Sequence, residues 1–203
     1  MLQARGLCFH YSQRELFANL SVRIAPGVTL VRGGDGSGKT TLLRLLAAEL
    51  PAHAGHLQVN NVSLAEQPMA YRNQVFWADP RSSALDQITP LAYFTSLHGE
   101  CPRFDERQLA GLIRGLSLAP HLDKPLYMLS TGSKRKVWLA AAFASGAAVT
   151  LLDEPFAALD TASIGFVLEL LGDVAAHTER AWVLADFEAP GKVPLAAILD
   201  LGG

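Results

Sequence analysis

Cysteine is scarce in this sequence. Cys8 and Cys101 are the only cysteines among its 203 residues. Two cysteines this far apart provide neither the closely spaced, even-numbered set of a disulfide-rich secreted domain nor the paired spacing of a zinc site. We therefore expect buried or incidental thiols, in a chain that works in a reducing compartment.

Net charge and long apolar runs are equally modest. The formal net charge is −2 and 18% of the residues are charged, so nothing in the charge suggests a general affinity for nucleic acid or acidic membranes. The most apolar run, residues 138–152, is broken by a Ser-Gly pair and falls short of the roughly 20 residues that span a bilayer. The N-terminal segment MLQARGLCFHYSQREL lacks the apolar stretch of a signal peptide. We expect a cytoplasmic chain that reaches a membrane only through a partner.

Strand and helix patterns alternate along most of the chain. LCFHYS and LSVRIA flank a polar turn, as an antiparallel pair would, and VTLVRG follows a Pro-Gly turn. A helix is predicted from the next glycine loop to Pro51, strands at 55–64 and 72–78, and helices and turns from about 82 to 128. The alternation predicts an α/β fold with a mostly parallel sheet and an antiparallel β part, in one domain over 1–203.

A phosphate-binding loop is the most specific motif. The segment GGDGSGKT at 33–40 fits G-x-x-x-x-G-K-[ST] and lies between a predicted strand and a predicted helix. The glycines let backbone N–H groups approach phosphate oxygens, Lys39 gives a positive charge to the β- and γ-phosphates, and the Thr40 hydroxyl is a ligand for Mg²⁺. The residues assigned to nucleotide binding here are Gly33, Gly34, Asp35, Gly36, Ser37, Gly38, Lys39, Thr40 and Thr41.

A pair of carboxylates ends a second predicted strand. In VTLLDEPFAALD, four apolar residues bring Asp153 to the carboxyl end of a buried strand, the edge where α/β sheets bind ligands. Asp153 is expected to hold Mg²⁺, and Glu154 to act as the base that orients or deprotonates the attacking water. Pro155 keeps Glu154 out of the right-handed helical region. Glu154 and Lys39 are the predicted catalytic residues.

A third motif, LSTGSKRK at 129–136, is a weak signal alone and gains its meaning from the other motifs. Ser130, Thr131 or Ser133 can cap a helix whose first N–H groups point toward an anion. The order of phosphate loop, helical segment, LSTGS, LLDEP and AALD resembles the nucleotide-binding domain of ATP-binding cassette (ABC) proteins, whose usual signature is LSGGQ. The resemblance implies a P-loop NTPase fold of ABC type, with a helical subdomain at about 82–135 inserted in the ATP-binding core.

The resemblance also implies partners and further site residues. Two such domains pair head to tail, so Ser130 and Gly132 would bind the γ-phosphate of ATP held by a second copy or another ABC domain. The AALD segment at 157–160 would cross the dimer interface. Tyr11 lies where the family has an aromatic residue that stacks on adenine, although an ordinary strand tyrosine remains an equal alternative. A separately encoded transmembrane permease is the implied membrane partner, docking on the helical insert. The apolar residues Leu91, Tyr93, Phe94 and Leu97 of the insert are candidates for that interface, although subdomain core is the favoured alternative for most of them.

Two positions depart from the family pattern. Asp79 stands where a glutamine precedes the helical subdomain; it could still ligate Mg²⁺, and Gln74 fits only if the register shifts. No histidine follows the strand WVLA, where Asp186 or Phe187 stands instead. His177 belongs to the preceding helix and is no substitute.

These motifs favour an ATP-hydrolysing subunit of an ABC transporter, with ATP and Mg²⁺ as cofactors and some likeness to bacterial heme-export ATPases. The subunit would lie at the inner face of the membrane, bound to its permease. The alternative is a hydrolytically impaired, nucleotide-gated regulatory or assembly module, favoured by the missing glutamine and histidine. Glu154 opposes that alternative because it retains the predicted base.

Overall fold

Two β-sheets form the frame of the molecule, for which a computed structural model describes residues 1–12, 14–176 and 178–202. His177 lies outside the described residues. The strands are β1 (Leu2–Tyr11), β2 (Arg14–Ile24), β3 (Gly27–Arg32), β4 (Ala54–Val59), β5 (Val62–Ser63), β6 (Val75–Trp77), β7 (Val149–Asp153), β8 (Ala181–Asp186) and β9 (Leu195–Asp200). The helices are α1 (Lys39–Leu46), α2 (Pro68–Arg72), α3 (Pro90–Glu100), α4 (Glu106–Gly115), α5 (Thr131–Ala144) and α6 (Thr161–Ala175).

The larger sheet positions the functional residues. Its strands run parallel in the order β6-β7-β8-β3-β9. All five residues of β7 are buried, as expected for a central strand covered by helices on both faces. Because the strands are parallel, the segments that follow β3, β7 and β8 emerge at one edge of the sheet. These segments begin at Gly33, Glu154 and Phe187.

The smaller sheet is antiparallel, in the order β2-β1-β4-β5. Its inward side chains, which include Leu2, Leu7 and Val59, join α1 and one face of the parallel sheet in a common core. Together the two sheets confirm the predicted α/β architecture, a mostly parallel sheet with an antiparallel β part.

Helices fill the chain between β6 and β7. Thr89 caps α3 and Asp105 caps α4, because their side-chain oxygens accept hydrogen bonds from backbone N–H groups of the first turn. Two short 3₁₀ turns then lead to α5. The second half of α5, from Val137 to Ala144, is buried throughout, so it forms the centre of the second core with α3, α4 and α6 around it.

Two predicted elements differ in their bounds. α1 ends at Leu46 rather than at Pro51, because Ala48 adopts a left-handed conformation with φ of 55° that a right-handed helix cannot continue. The segment 72–78 was expected to be all strand, but Arg72 ends α2 and only Val75–Trp77 pairs with β7. Among the described residues, no helix combines the length and apolar character needed to cross a membrane.

Candidate functional site

The glycine-rich part of the phosphate loop, residues 33–38, lies between β3 and α1, and Lys39, Thr40 and Thr41 begin α1. Gly36 and Gly38 have φ values of 74° and 101°, which only glycine adopts without strain. A Cβ atom on Gly38 would lie 2.9 Å from Leu16 Cδ2. Lys39 Nζ donates to the carbonyl oxygens of Gly33 at 2.6 Å and Gly34 at 3.0 Å. The lysine charge is thereby held over the concave side of the loop.

The Thr40 hydroxyl and the Asp153 carboxylate meet across the sheet edge. Thr40 Oγ1 donates to Asp153 Oδ2 at 2.8 Å. Asp153 Oδ1 is buried without a hydrogen-bond partner, and burial raises the pKa of this carboxyl. A hydroxyl beside a carboxylate with an unused oxygen is a donor set that fits Mg²⁺.

Glu154 has a strained backbone that its neighbours hold in place. Its φ is 46°, which is rare for a residue other than glycine and places it in the left-handed region rather than the extended region usual before proline. The Glu154 amide donates to the Ala185 carbonyl at 2.8 Å. The side chain is 40% exposed and faces the cleft. Such strain is frequent at functional sites.

Arg135 of α5 hydrogen-bonds the backbone of the turn at Asp153 and Glu154. Its Nη1 donates to the Asp153 carbonyl oxygen at 2.8 Å and to the Glu154 carbonyl oxygen at 2.6 Å. Burial lowers the pKa of the guanidinium, although the Glu154 and Asp153 carboxylates oppose this effect. The arginine therefore acts on the backbone that carries both carboxylates.

A cleft of about 540 Å³ opens beside the loop. Tyr11, at the end of β1, lines it with 46% of its surface exposed. The Tyr11 hydroxyl lies 3.3 Å from Thr41 Oγ1, and its ring packs edge-on against Phe9 at 4.8 Å between centroids. Asp35 lines the same cleft, so these residues and the phosphate loop surround one space.

The LSTGS segment starts α5. Ser130 is the cap: its Oγ accepts the Ser133 amide at 3.1 Å, and the side chain is exposed. A Cβ atom on Gly132 would lie 2.3 Å from the Ala158 carbonyl oxygen. The glycine is therefore needed for contact with the AALD segment of the same chain. Ser37 Oγ, in the phosphate loop, is buried without a hydrogen-bond partner.

The positions that depart from the family pattern are divided between two places. Asp186 and the 66%-exposed Phe187 line a second opening together with Lys39 and Glu154, and burial raises the pKa of Asp186. The Asp79 carboxylate accepts the Arg81 amide at 2.8 Å and does not line the cleft. The Gln74 amide hydrogen-bonds Asn60 and backbone carbonyls near β4, so it does not replace the missing glutamine.

Three arginines lie at this site that the sequence did not predict there. Arg14 Nη2 donates to the Gly36 carbonyl oxygen at 3.1 Å and clasps the phosphate loop from β2. Arg81 Nη2 lies 3.6 Å from Glu154 Oε1. Arg135 was part of the basic run in LSTGSKRK, but nothing in that run indicates which of its cations turns inward.

A model of the family described as ABC transporter matches residues 17–157, more than half of the chain. The chain belongs to the ABC transporter family. Relatives named cytochrome c biogenesis ATP-binding export protein CcmA occur in Pseudomonas savastanoi pv. phaseolicola, at 35% identity over 90% of this chain and 85% of the relative, and in Rhodospirillum rubrum, at 36% identity over 91% and 80%. A solved ATP-binding subunit of an ABC transporter matches with a TM-score of 0.79 and 21% identity over 91% of this chain and 78% of that one.

Family membership confirms the predicted function over its alternative. The chain is the ATP-binding subunit of an ABC transporter and an ABC-type ATPase. ABC cassettes work as dimers with a membrane subunit. The impaired regulatory module is not favoured.

The Arg135 contacts generate a first prediction. Arg135→Met removes both hydrogen bonds, so we expect the free energy of unfolding to fall by about 2 kcal/mol. The Glu154 carbonyl oxygen still accepts the Ala157 amide at 3.1 Å, so the Asp153 carbonyl oxygen bears the larger loss. Turnover of ATP should fall because the Glu154 backbone is released, and nucleotide affinity should fall less than turnover, because Arg135 makes no contact with Lys39 or the phosphate loop. Urea denaturation, calorimetric binding and steady-state hydrolysis measure the three quantities.

Arg107→Met is the matched control, because Arg107 lies exposed on α4. It should change the free energy of unfolding by less than about 0.5 kcal/mol. Equal turnover in the two variants would contradict a supporting role for Arg135.

Proposed function

We propose that the chain binds Mg²⁺-ATP in the cleft beside β3 and hydrolyses it with Glu154 as general base. The observation that carries this proposal is the meeting of Lys39, Thr40, Asp153 and Glu154 at one edge of the parallel sheet. The backbone of residues 33–41 and the Lys39 ammonium would hold the phosphates, and Tyr11 would stack on the base.

Thr40 and Asp153 are the proposed magnesium ligands, and Asp79 stays a further prediction. When bound there, Mg²⁺ would supply charge compensation for the β- and γ-phosphates. The chain's own share is to hold the two oxygens together and to bury them, and the unpartnered Asp153 Oδ1 supports a cation at this position.

Lys39 and Glu154 have separate tasks in the proposed reaction. Lys39 would leave the Gly33 and Gly34 carbonyls for the phosphates, which bind a cation more strongly than neutral carbonyls do. Glu154 would accept a proton from the attacking water, within reach of the cleft because its strained backbone turns the side chain toward it.

A second ABC domain, in the simplest case another copy of this chain, would complete the site. Ser130 and Gly132 of the partner would face the γ-phosphate through the N-terminus of α5, whose dipole favours an anion. The exposure of Ser130 supports this proposal, since a second molecule can reach it. Its hydroxyl, which donates to Ser133 Oγ at 3.0 Å, would turn to the phosphate instead. We keep one domain over 1–203, with the helical insert at about 82–135, as the proposed organisation.

A transmembrane permease is the proposed membrane partner, and the chain would lie at the inner face of the membrane. A groove of about 590 Å³ between the edge strand β6 and α3 supports such docking. Tyr93, Phe94 and Leu97 are mostly buried in the core, whereas Leu91 is 50% exposed. The groove lining includes Met69, Arg72, Trp77, Glu100 and Arg103. Because its relatives are named cytochrome c biogenesis export proteins, we infer an export role of that kind.

The base assignment is tested by steady-state hydrolysis. Glu154→Gln should lower turnover by about 10²-fold or more, in the range of general-base contributions, and should leave ATP affinity intact. Lys39→Ala should abolish nucleotide binding, because the positive charge under the phosphates is lost. Turnover that persists in Glu154→Gln would refute the base, and unchanged affinity in Lys39→Ala would refute the phosphate site.

The composite site is tested in a Glu154→Gln background, in which ATP persists. Adding Ser130→Arg should leave binding by the monomer intact but block ATP-dependent dimerisation, because a bulky side chain replaces the hydroxyl. Analytical ultracentrifugation with and without ATP measures the change. Ser130→Thr, which keeps a hydroxyl cap, should still dimerise; a normal dimer with Ser130→Arg would contradict the head-to-tail arrangement.

The docking groove is tested by charge insertion at its rim. Met69 is 66% exposed, so Met69→Glu should fold normally yet weaken binding to an apolar partner element. The fraction of chain that sediments with membranes of the native host should fall. Ile198→Glu is the matched control, because Ile198 is 54% exposed on β9 and outside the groove. Equal sedimentation of Met69→Glu and wild type would place the permease elsewhere.

A further inference from the structure

Arg81 brings a positive charge into the nucleotide cleft from an unexpected side. It follows β6 by four residues and lines the cleft together with Lys39 and Thr40. The Asp79 carboxylate accepts the Arg81 amide at 2.8 Å, which fixes the turn around Pro80. The Arg81 side chain is 62% exposed, so its position is set by the turn while its guanidinium is free to change partners.

The other cations near the site are already engaged with backbone. Lys39 Nζ donates to the Gly33 and Gly34 carbonyls, Arg14 to the Gly36 carbonyl, and Arg135 to the carbonyls behind Glu154. Among the described residues, Arg81 alone has its guanidinium within 4 Å of the Glu154 carboxylate, at 3.6 Å. This separation is too long for a hydrogen bond, so the ion pair is one that a stronger anion can displace.

The surrounding charge creates a need for such a cation. Asp35, Glu154 and Asp186 line the same opening, and Asp186 or Phe187 stands where the family pattern has a histidine. A triphosphate beside these three carboxylates experiences repulsion, to which Asp186 adds a charge that a neutral histidine would not bring. A guanidinium with a planar fork of donors suits a phosphate group.

We propose that Arg81 binds the terminal phosphate of ATP, and that the Glu154 carboxylate and this phosphate compete for its guanidinium. The proposal rests on the nucleotide site described under the proposed function. Transfer of Arg81 to the phosphate leaves the Glu154 carboxylate without its ion-pair partner, ready to accept a proton from water. Arg81 thus supplies the contact with the terminal phosphate that Asp79 and Asp186 cannot donate as carboxylates.

The test compares two nucleotides that differ in the terminal phosphate. In Arg81→Ala, affinity for the Mg²⁺ complex of β,γ-imido-ATP should fall about tenfold, the loss of one hydrogen bond between charged groups. Affinity for Mg²⁺-ADP should change by less than about twofold, because ADP lacks the phosphate that Arg81 binds. Isothermal titration calorimetry measures both. Equal losses for the two nucleotides, or no loss for either, would overturn the proposal.

Two further variants separate charge from fold and from site failure. Arg81→Lys should recover part of the imido-ATP affinity, because an ammonium restores the charge but not the fork. Arg107→Ala, on the exposed face of α4, should match wild type for both nucleotides. If Lys39→Ala loses binding while Arg81→Ala binds like wild type, the nucleotide site stands and only the Arg81 proposal fails. If Lys39→Ala also binds normally, the site assignment itself fails.

The competition is tested by a double-mutant cycle on imido-ATP affinity. Glu154→Gln removes a nearby negative charge in either background, but it releases Arg81 only where Arg81 is present. The gain in affinity on Glu154→Gln should therefore be larger with Arg81 than with Arg81→Ala. Equal gains in the two backgrounds would show that Glu154 does not compete for the guanidinium.

Discussion

The hydrogen bonds from Arg135 to the carbonyl oxygens of Asp153 and Glu154 are the constraint on which the site depends. They keep a non-glycine residue in the left-handed region at the end of β7, where its side chain would otherwise relax away from the cleft. Gly132 and Lys136 lie on the same face of α5, against Ala158 and the cap residue Asp160. One helix face therefore fixes the whole stretch from the carboxylate pair to the start of α6.

Electrostatics at this edge of the sheet is unusual for the family pattern, because carboxylates stand where neutral donors are expected. Burial raises the pKa of Asp153 and of Asp186, and in both cases the charge of Glu154 acts in the same direction. The cations that balance this charge come from four places in the fold: β2, α1, α5 and the turn after β6. Three of them, Arg14, Lys39 and Arg135, are directed at backbone carbonyls and so shape the site. The number of these cations explains how this edge of the sheet holds the carboxylates of Asp153, Glu154 and Asp186 close together.

Local patterns predicted the phosphate loop and the DE pair because those motifs are defined by close spacing in sequence. The alternation of strands and helices likewise predicted the parallel sheet. The arginines were missed because their roles depend on approach between distant segments: Arg14 meets Gly36, and Arg81 reaches Glu154. α1 was predicted too long because the left-handed residue that ends it is Ala48, whereas the usual sequence signal for such an end is glycine. The Asp79 carboxylate, which stays a predicted metal ligand, accepts the backbone amide of Arg81, a contact that the sequence did not indicate.

The close contact of Gly132 with the Ala158 carbonyl has a mechanical consequence. Any side chain at position 132 would push the start of α5 away from the AALD segment. Because the two are in such close contact, the AALD segment cannot shift unless α5 moves with it. In a head-to-tail pair, these two segments would face the neighbour's nucleotide, while Arg135 on the same helix steadies the chain's own carboxylates. A tilt of α5 would then alter both sites of the pair together, and neither could be loosened alone.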